Sequence, residues 1–234
     1  MRRRWQGEAL TDEVEKSNTS STASGSPSPQ GEGLKRGRIN MQFIIATGNA
    51  HKLTELERIL NPLGIDAAST KSLGISLDDV EETGTTFEEN AYLKAKAACD
   101  KTGLPAVADD SGLCVNALNG APGVYSARYA GENATDKERY EKLLKEMEGI
   151  ADRSAYFVSA VCCVWPNGDT LTVRGECHGT IGFEPLGEGG FGYDPIFMVG
   201  EQSYSQMTPA EKDAISHRGR ALMKLQQALQ ERLG

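Results

Sequence analysis

The sequence contains no apolar run that approaches the roughly 20 residues a membrane-spanning helix needs. Residues 2–4 are all arginine and resemble the start of a targeting peptide, but no apolar segment follows them. The acidic residues Asp12, Glu13 and Glu15 also argue against an organelle transit peptide. We therefore expect a cytoplasmic protein that has no membrane partner.

Positive charge is also scarce. Of the chain's 25 basic and 33 acidic residues, 7 and 5 lie within residues 1–40, which leaves 18 against 28 and a net charge of −10 for the rest. A surface of this charge repels polynucleotides, because their binding depends on many contacts between basic side chains and phosphates. The composition therefore excludes a polynucleotide partner.

Cysteines with metal-type spacing are missing as well. The five cysteines are odd in number, and two of them are neighbours that would point to opposite faces of a strand: Cys99, Cys114, Cys162, Cys163 and Cys177. They are expected to be reduced, small core residues in a reducing compartment.

Residues 1–40 differ in composition from the rest of the chain. Ser, Thr, Gly, Pro and Gln dominate positions 17–33 without any apolar periodicity, so we expect this segment to be disordered. Met41 stands directly before the first predicted strand, and we expect the natural protein to start there, with the preceding residues an extension. One folded domain is predicted over residues 41–234.

The remaining sequence alternates between strand-like and helical patterns, without an internal repeat. Capping boxes predict helices after Thr86 and Thr135, and Thr208 can cap one helical turn. The pattern predicts helices at about 53–61, 86–100 and 216–233, and strands at 42–46, 104–109, 113–117, 155–164, 170–176 and 179–183. Residues 166–169, Pro-Asn-Gly-Asp, predict a hairpin. The expected fold class is α/β, with a mixed twisted sheet and flanking helices.

The stretch Thr47-Gly48-Asn49-Ala50-His51-Lys52 joins the first predicted strand to the first helix. A strand that turns into a helix points backbone N–H groups and the positive end of the helix dipole at whatever lies above the turn. Lys52 adds a mobile point charge that suits a phosphate oxygen. The turn therefore predicts an anion site, and an ordinary strand-to-helix turn is the alternative.

Two acidic groups follow. Asp109, Asp110 and Ser111 close an apolar run, so two adjacent carboxylates are expected at a strand end, where they can hold Mg²⁺ together with substrate phosphates. Residues 78–82, Asp-Asp-Val-Glu-Glu, form a second cluster in a predicted loop. A solvated turn and a solvated charge run are the alternatives.

The last two candidate segments lie near the C-terminus. Residues 187–195 carry four glycines with Phe191, Tyr193 and Asp194, so the backbone can approach a ligand and an aromatic ring can stack on a base. Residues 211–218 are rich in hydrogen-bond donors. A plain turn with one buried aromatic and a basic helix surface are the alternatives.

In order, the chain contains the motifs T-G-N-x-x-K, E-E-T-G-x-T-F-x-E-N-A, A-D-D-S-G-L, G-A-P-G-x-Y-S-A-R-Y, G-x-G-G-F-G-Y-D-P and E-K-x-x-I-S-H-R. Together they resemble the inosine/xanthosine triphosphate pyrophosphatase family, which hydrolyses non-standard purine nucleoside triphosphates to the monophosphate and pyrophosphate. The resemblance covers residues 41–233. It implies a two-lobed, elongated domain with the nucleotide in a central cleft, commonly as a homodimer.

The resemblance also implies roles for individual residues. Asp110 matches the family's general base and metal ligand, Asp109 assists it, and Glu82 or Glu81 matches the second metal carboxylate for Mg²⁺. The implied substrate-binding residues are Thr47, Gly48, Asn49, Ala50, His51, Lys52, Lys94, Ser111, Phe191, Gly192, Tyr193, Asp194, Lys212, His217 and Arg218.

Hydrogen-bond types suggest how the base is chosen. Donors from Lys212, His217 and Arg218 favour the 6-oxygen of hypoxanthine or xanthine over the 6-amine of adenine. Two other functions remain as alternatives. A Maf-like nucleotide pyrophosphatase would act on other substrates, and a non-catalytic module would bind a nucleotide without hydrolysing it.

Overall fold

The computed structural model describes residues 41–77 and 79–233. The predicted disorder of residues 1–40 lies outside the described residues, and so does Asp78 of the predicted acidic cluster. In the described part, no helix is long and apolar enough to cross a membrane.

The described residues form seven strands and five α-helices, linked by turns and short 3₁₀ helices. The strands are β1 (Met41–Ile45), β2 (Ile65–Ser69), β3 (Ala106–Val115), β4 (Ser154–Val164), β5 (Thr170–Ile181), β6 (Phe197–Val199) and β7 (Gln202–Ser203). The helices are α1 (Ala50–Leu60), α2 (Phe87–Thr102), α3 (Asp136–Glu146), α4 (Pro209–Ile215) and α5 (His217–Leu233).

All seven strands belong to one sheet in the order β2-β1-β3-β4-β5-β6-β7. Strand β1 runs parallel to β2 and β3, whereas every pair from β3 to β7 is antiparallel. The predicted α/β class with a mixed sheet is confirmed. Since β1, β2 and β3 are parallel, the turns that follow β1 and β2 leave the sheet at the same edge.

The core lies on both faces of this sheet. Even-numbered positions of β3, such as Ala106 and Ala108, pack with α2, whereas Val107 packs with α1 and α5 on the opposite face. A third apolar cluster joins the later half of β3 to α3 and β6. The alternation of side chains along β3 therefore gives its two faces different helical neighbours.

The predicted break within β3 is wrong. The sequence suggested strands at 104–109 and 113–117, but one ten-residue strand pairs with β4 from Ala106 to Val115. Gly112 lies within the predicted break and allows a close approach, since a Cβ there would lie 2.4 Å from the carbonyl oxygen of Gly123. The aspartates are consequently in the middle of a strand.

The predicted division between strands 170–176 and 179–183 is also wrong. Strand β5 runs without a break to Ile181, and a Cβ at Gly179 would lie 2.2 Å from the carbonyl oxygen of Met198. Strand β2, of sequence Ile-Asp-Ala-Ala-Ser, was not predicted, since its small residues carry a weak strand pattern.

Helix starts and the hairpin agree with the sequence. Thr86, Thr135 and Thr208 each form a complete capping box with the glutamate three residues later. Strands β4 and β5 pair around the turn at residues 165–169, as predicted. Helix α1 starts at Ala50, three residues earlier than the apolar pattern suggested, because Asn49 caps it.

Candidate active site

A cavity of about 810 Å³ opens where the turns after β1 and β2 meet the middle of β3, and its size lies in the range typical of small-molecule sites. It is lined by most of the residues that the sequence predicted, namely Thr47, Gly48, Asn49, His51, Lys52, Glu82, Lys94, Asp110, Ser111, Phe191, Gly192, Tyr193, Asp194, Lys212, His217 and Arg218. Ala50, Glu81 and Asp109 do not line it, although Asp109 contacts two residues that do.

The turn after β1 is held by its own side chains. The Asn49 side-chain oxygen accepts hydrogen bonds from the backbone N–H groups of His51 (2.9 Å) and Lys52 (3.3 Å), and Thr47 Oγ1 accepts one from Asn49 N–H (3.2 Å). Two of the helix N–H groups expected to face an anion are therefore satisfied by Asn49. Lys52 still lines the cavity, and the positive end of the helix dipole lies at the same turn.

Asp109 and Asp110 point to opposite faces of β3. Asp109 faces α1 and α5, where its Oδ2 lies 3.0 Å from Lys52 Nζ and 3.4 Å from Arg218 Nε and accepts a 2.7 Å hydrogen bond from Ser111. Burial disfavours the charged carboxylate, but the attraction of Lys52 and Arg218 outweighs it and lowers the pKa of Asp109 below its usual value. Asp109 is therefore an ionised carboxylate that holds Lys52 and Arg218 at the cavity.

Asp110 faces α2 and is exposed to the cavity. Its Oδ1 lies 3.0 Å from Lys94 Nζ, and its Oδ2 accepts a 3.3 Å hydrogen bond from Asn90. Burial raises the pKa of Asp110 and outweighs the opposing attraction of Lys94 and Lys52. A carboxylate with a raised pKa holds a proton more readily than an ordinary one, which suits it to act as a base.

Glu82 contacts the same Lys94 ammonium group as Asp110. Glu82 Oε1 and Asp110 Oδ1 each lie 3.0 Å from Lys94 Nζ, so two carboxylate oxygens converge on one cationic position. Burial disfavours the charged form of Lys94, but Asp110, Asp109 and Glu82 together raise its pKa. The exposed side chain of Glu81 does not line the cavity.

This donor set fits a divalent cation that is also held by a ligand. In the described part of the chain, no three His, Cys, Asp or Glu side chains are arranged to bind a metal by themselves. Mg²⁺ usually binds proteins through one or two carboxylates and completes its shell with water and substrate phosphates. The convergent oxygens of Glu82 and Asp110 match that requirement.

The glycine-rich loop is fixed by two carboxylates. Asp194 Oδ2 accepts hydrogen bonds from Phe191 N–H (2.8 Å) and Lys212 Nζ (2.6 Å), while Asp136 at the start of α3 accepts one from Gly192 N–H (2.7 Å). The Phe191 ring stacks on His51 with centroids 5.1 Å apart. These contacts hold an aromatic face at the cavity wall.

Tyr193 and His217 are largely buried beside this loop. The Tyr193 hydroxyl donates to the carbonyl of Ser126 (2.9 Å), so it is engaged within the protein. His217 stacks on Phe157, 4.6 Å between centroids, and its Nδ1 has no hydrogen-bond partner among the described residues. Burial lowers the pKa of His217 well below its usual value, which leaves a neutral ring.

Arg218 contacts carboxylates more than the sequence suggested. Its guanidinium contacts Glu55 through Nη1, Asp109 through Nε (3.4 Å) and Ser111 Oγ through Nη2 (3.3 Å). The sequence predicted a donor to the base; in the structure this buried group contacts the strand that carries the aspartates, and its Cζ also lies 5.9 Å from the centroid of the Phe191 ring. Glu55 itself was missed, although it lies one helical turn after Lys52.

Three further residues at the cavity were also missed: Lys71, Asp136 and Arg139. Asp136 follows Thr135 in a capping box, which accounts for an acidic residue at that position without any ligand. Lys71 lies after the strand that was not predicted. Neither Asp136 nor Lys71 therefore stood out in the sequence as a residue that contacts a ligand.

A family model described as the Ham1 family matches residues 43–228. The chain belongs to the Ham1 family. The family prediction from the motifs is thereby confirmed.

Curated relatives and a solved structure are similar to this chain over about four fifths of its length. The dITP/XTP pyrophosphatase of an Exiguobacterium species is 50% identical over 188 residues, which cover 80% of this chain and 95% of that protein. The dITP/XTP pyrophosphatase of Haemophilus influenzae is 48% identical over 197 residues, which cover 82% of this chain and 100% of that protein. A HAM1 protein from Coxiella burnetii superposes with a TM-score of 0.77 at 45% identity, covering 82% of this chain and 99% of that one.

The network around Asp109 predicts a measurable loss of stability. Asp109→Asn removes the partner of two buried cations, which typically costs about 3–5 kcal/mol in the free energy of unfolding. Denaturant unfolding at neutral pH checks this value. Asp100→Asn, which breaks a surface pair with Lys96, is the control and should have a far smaller effect.

The wild type and Asp109→Asn can also be compared as a function of pH. Because the pKa of Asp109 is lowered on folding, its ionisation stabilises the wild type above the unfolded pKa of about 3.9, and this contribution is lost as the pH falls further. The stability difference between wild type and Asp109→Asn should therefore be constant from about pH 7 to about pH 5 and should shrink below about pH 4. A difference that grows in acid would contradict the charge assignment.

Proposed function

We propose that this chain hydrolyses non-standard purine nucleoside triphosphates, namely ITP, dITP and XTP, to the nucleoside monophosphate and pyrophosphate. The observation that carries the proposal is a single cavity that joins the turn at residues 47–52, the Glu82–Lys94–Asp110 cluster and the Phe191 loop. These three parts suit, in turn, a phosphate chain, a reacting phosphorus and a purine base. The names of the relatives support the same activity.

The reaction needs no covalent protein nucleophile. Water attacks the α-phosphorus, an oxygen–phosphorus bond forms, and the bond from the α-phosphorus to the bridging oxygen breaks as pyrophosphate leaves. Asp110 takes the proton of the attacking water, a role that its cavity-facing position and raised pKa support. Asp109 keeps Lys52 and Arg218 in place below the reacting group.

Charge neutralisation comes from the protein and from a cation. Lys52 and the helix dipole after Asn49 face the β- and γ-phosphates, and Lys94 contacts a phosphate oxygen. Glu82 and Asp110 would hold Mg²⁺, which when bound neutralises charge on the phosphate oxygens. Glu81 is set aside in favour of Glu82 because its side chain does not line the cavity.

Base choice depends on donors near Phe191. The neutral His217 ring has one nitrogen without a partner among the described residues, and the Lys212 ammonium can donate beyond its bond to Asp194. Donors at this position favour a purine 6-oxygen over the 6-amine of adenine, whose N–H groups would meet other donors. Phe191 would stack on the ring, in place of or beside His51.

Two properties of the whole protein are part of the proposal. All five cysteines are free and buried, which suits a reducing compartment such as the cytoplasm. We expect a homodimer, as the family resemblance implies. Neither property is needed for the chemistry described above.

The activity is tested by measuring pyrophosphate release from a panel of nucleoside triphosphates with Mg²⁺. ITP, dITP and XTP should be hydrolysed with far higher kcat/KM than ATP, GTP or pyrimidine triphosphates. Turnover confined to pyrimidine or modified nucleotides would indicate a Maf-like specificity. Tight ITP binding without any turnover would indicate a non-catalytic module.

Asp110 is the residue whose change should affect turnover most. Asp110→Asn keeps the shape of the side chain but removes the base, so kcat should fall by at least about 10²–10⁴-fold while the thermal melting temperature stays near that of the wild type. Glu81→Gln removes an acidic residue just outside the cavity and is the matched control. Most of the wild-type kcat remaining in Asp110→Asn at saturating Mg²⁺ would disprove its role.

His217 and Arg218 should differ in their effects on substrate choice. His217→Ala removes a base-facing donor and should lower kcat/KM for ITP about 5- to 30-fold more than for ATP, as expected for loss of a hydrogen bond of about 1–2 kcal/mol. Arg218→Ala removes the contacts of the guanidinium with Asp109 and Ser111 and should lower kcat/KM for ITP and for ATP by similar factors. Steady-state kinetics on the two nucleotides measures both effects, and the reverse pattern would assign base reading to Arg218.

A further inference from the structure

We propose that Lys71 binds the terminal phosphate of the substrate and the pyrophosphate product. The inference rests on the proposed function, because it adds a subsite to the same cavity. Lys71 follows β2, the edge strand next to β1, and lines the same cavity. No motif of the sequence pointed to it.

The charge pairing of the cavity singles out this lysine. Five other lysines and arginines line the cavity, and each lies within 4 Å of a carboxylate: Lys52 of Asp109, Lys94 of Glu82 and Asp110, Arg139 of Asp136, Lys212 of Asp194, and Arg218 of Glu55 and Asp109. Within residues 41–77 and 79–233, Lys71 has no such partner. Among the described residues of the cavity, its ammonium is therefore the cation that has no paired carboxylate and is available to a ligand.

The order of the strands gives the direction of the phosphate chain. Strand β3 continues past the end of β1, so Asp110 on β3, the turn at residues 47–52 after β1 and Lys71 after β2 follow one another in the order of the strands. A substrate whose α-phosphate lies at Asp110 and whose next phosphate lies at the turn after β1 extends toward β2. Its γ-phosphate then comes nearest to Lys71.

The backbone that carries Lys71 is fixed at both ends. Thr70 N–H donates to the carbonyl of Ile45 in β1 (3.2 Å), and Ile75 N–H donates back to Thr70 (2.9 Å). Gly74 N–H donates to the Lys71 carbonyl (3.1 Å) with a φ of +67°, a conformation that suits glycine. The exposed side chain can therefore move to a phosphate while its attachment point stays in place.

Product inhibition tests the subsite. In Lys71→Gln the inhibition constant for Mg-pyrophosphate and the KM for ITP should both rise about 5- to 20-fold, as expected for loss of a charge-assisted contact that solvent partly screens. The kcat should change by less than about twofold, because the contact is present before and after the chemical step. The inhibition constant for inosine monophosphate, which lacks the terminal phosphates, should stay unchanged.

Two further variants separate a specific contact from overall charge. Lys71→Arg retains the positive charge and should restore most of the pyrophosphate affinity, whereas Lys145→Gln removes a lysine from the exposed side of α3 and should behave as wild type. Unchanged pyrophosphate inhibition in Lys71→Gln, or an equal rise for monophosphate and pyrophosphate, would overturn the assignment. A wild type that releases no pyrophosphate from any nucleotide would instead refute the proposed function itself.

Discussion

Two neighbouring carboxylates on one buried strand are the constraint on which the site depends. Since successive side chains of a strand point to opposite faces, Asp109 lies in the layer of α1 and α5 and Asp110 in the layer of α2. A buried carboxylate stays charged only beside cations, so each layer must supply its own. Lys52 and Arg218 form ion pairs with Asp109, and Lys94 forms one with Asp110.

This arrangement gives two aspartate side chains different pKa values and different roles. The pKa of Asp109 is lowered and that of Asp110 is raised, because Asp109 has two close cations while burial dominates at Asp110. One carboxylate therefore fixes the position of the surrounding cations, and the other can exchange a proton. Lys52 links the pair to the turn at residues 47–52, and Arg218 links it to the segment at residues 211–218.

Local signals in the sequence were sufficient where the cause of structure is local. Capping boxes at Thr86 and Thr135 and the turn at residues 166–169 are formed by residues close in sequence, and they were predicted. The breaks predicted within β3 and β5 were wrong, and at Gly112 and Gly179 the backbone atoms that a Cβ would meet come from residues distant in sequence. The motifs likewise predicted most cavity residues, but not which carboxylate each cation meets, as Arg218 illustrates.

The central claim is that water attacks the α-phosphorus above Asp110, with the two outer phosphates held near Lys52 as the leaving group. Hydrolysis of ITP in ¹⁸O-labelled water, with the products analysed by mass spectrometry, tests this claim most directly. The account predicts one labelled oxygen in inosine monophosphate and none in pyrophosphate. Label in pyrophosphate, or release of labelled orthophosphate in its place, would contradict it.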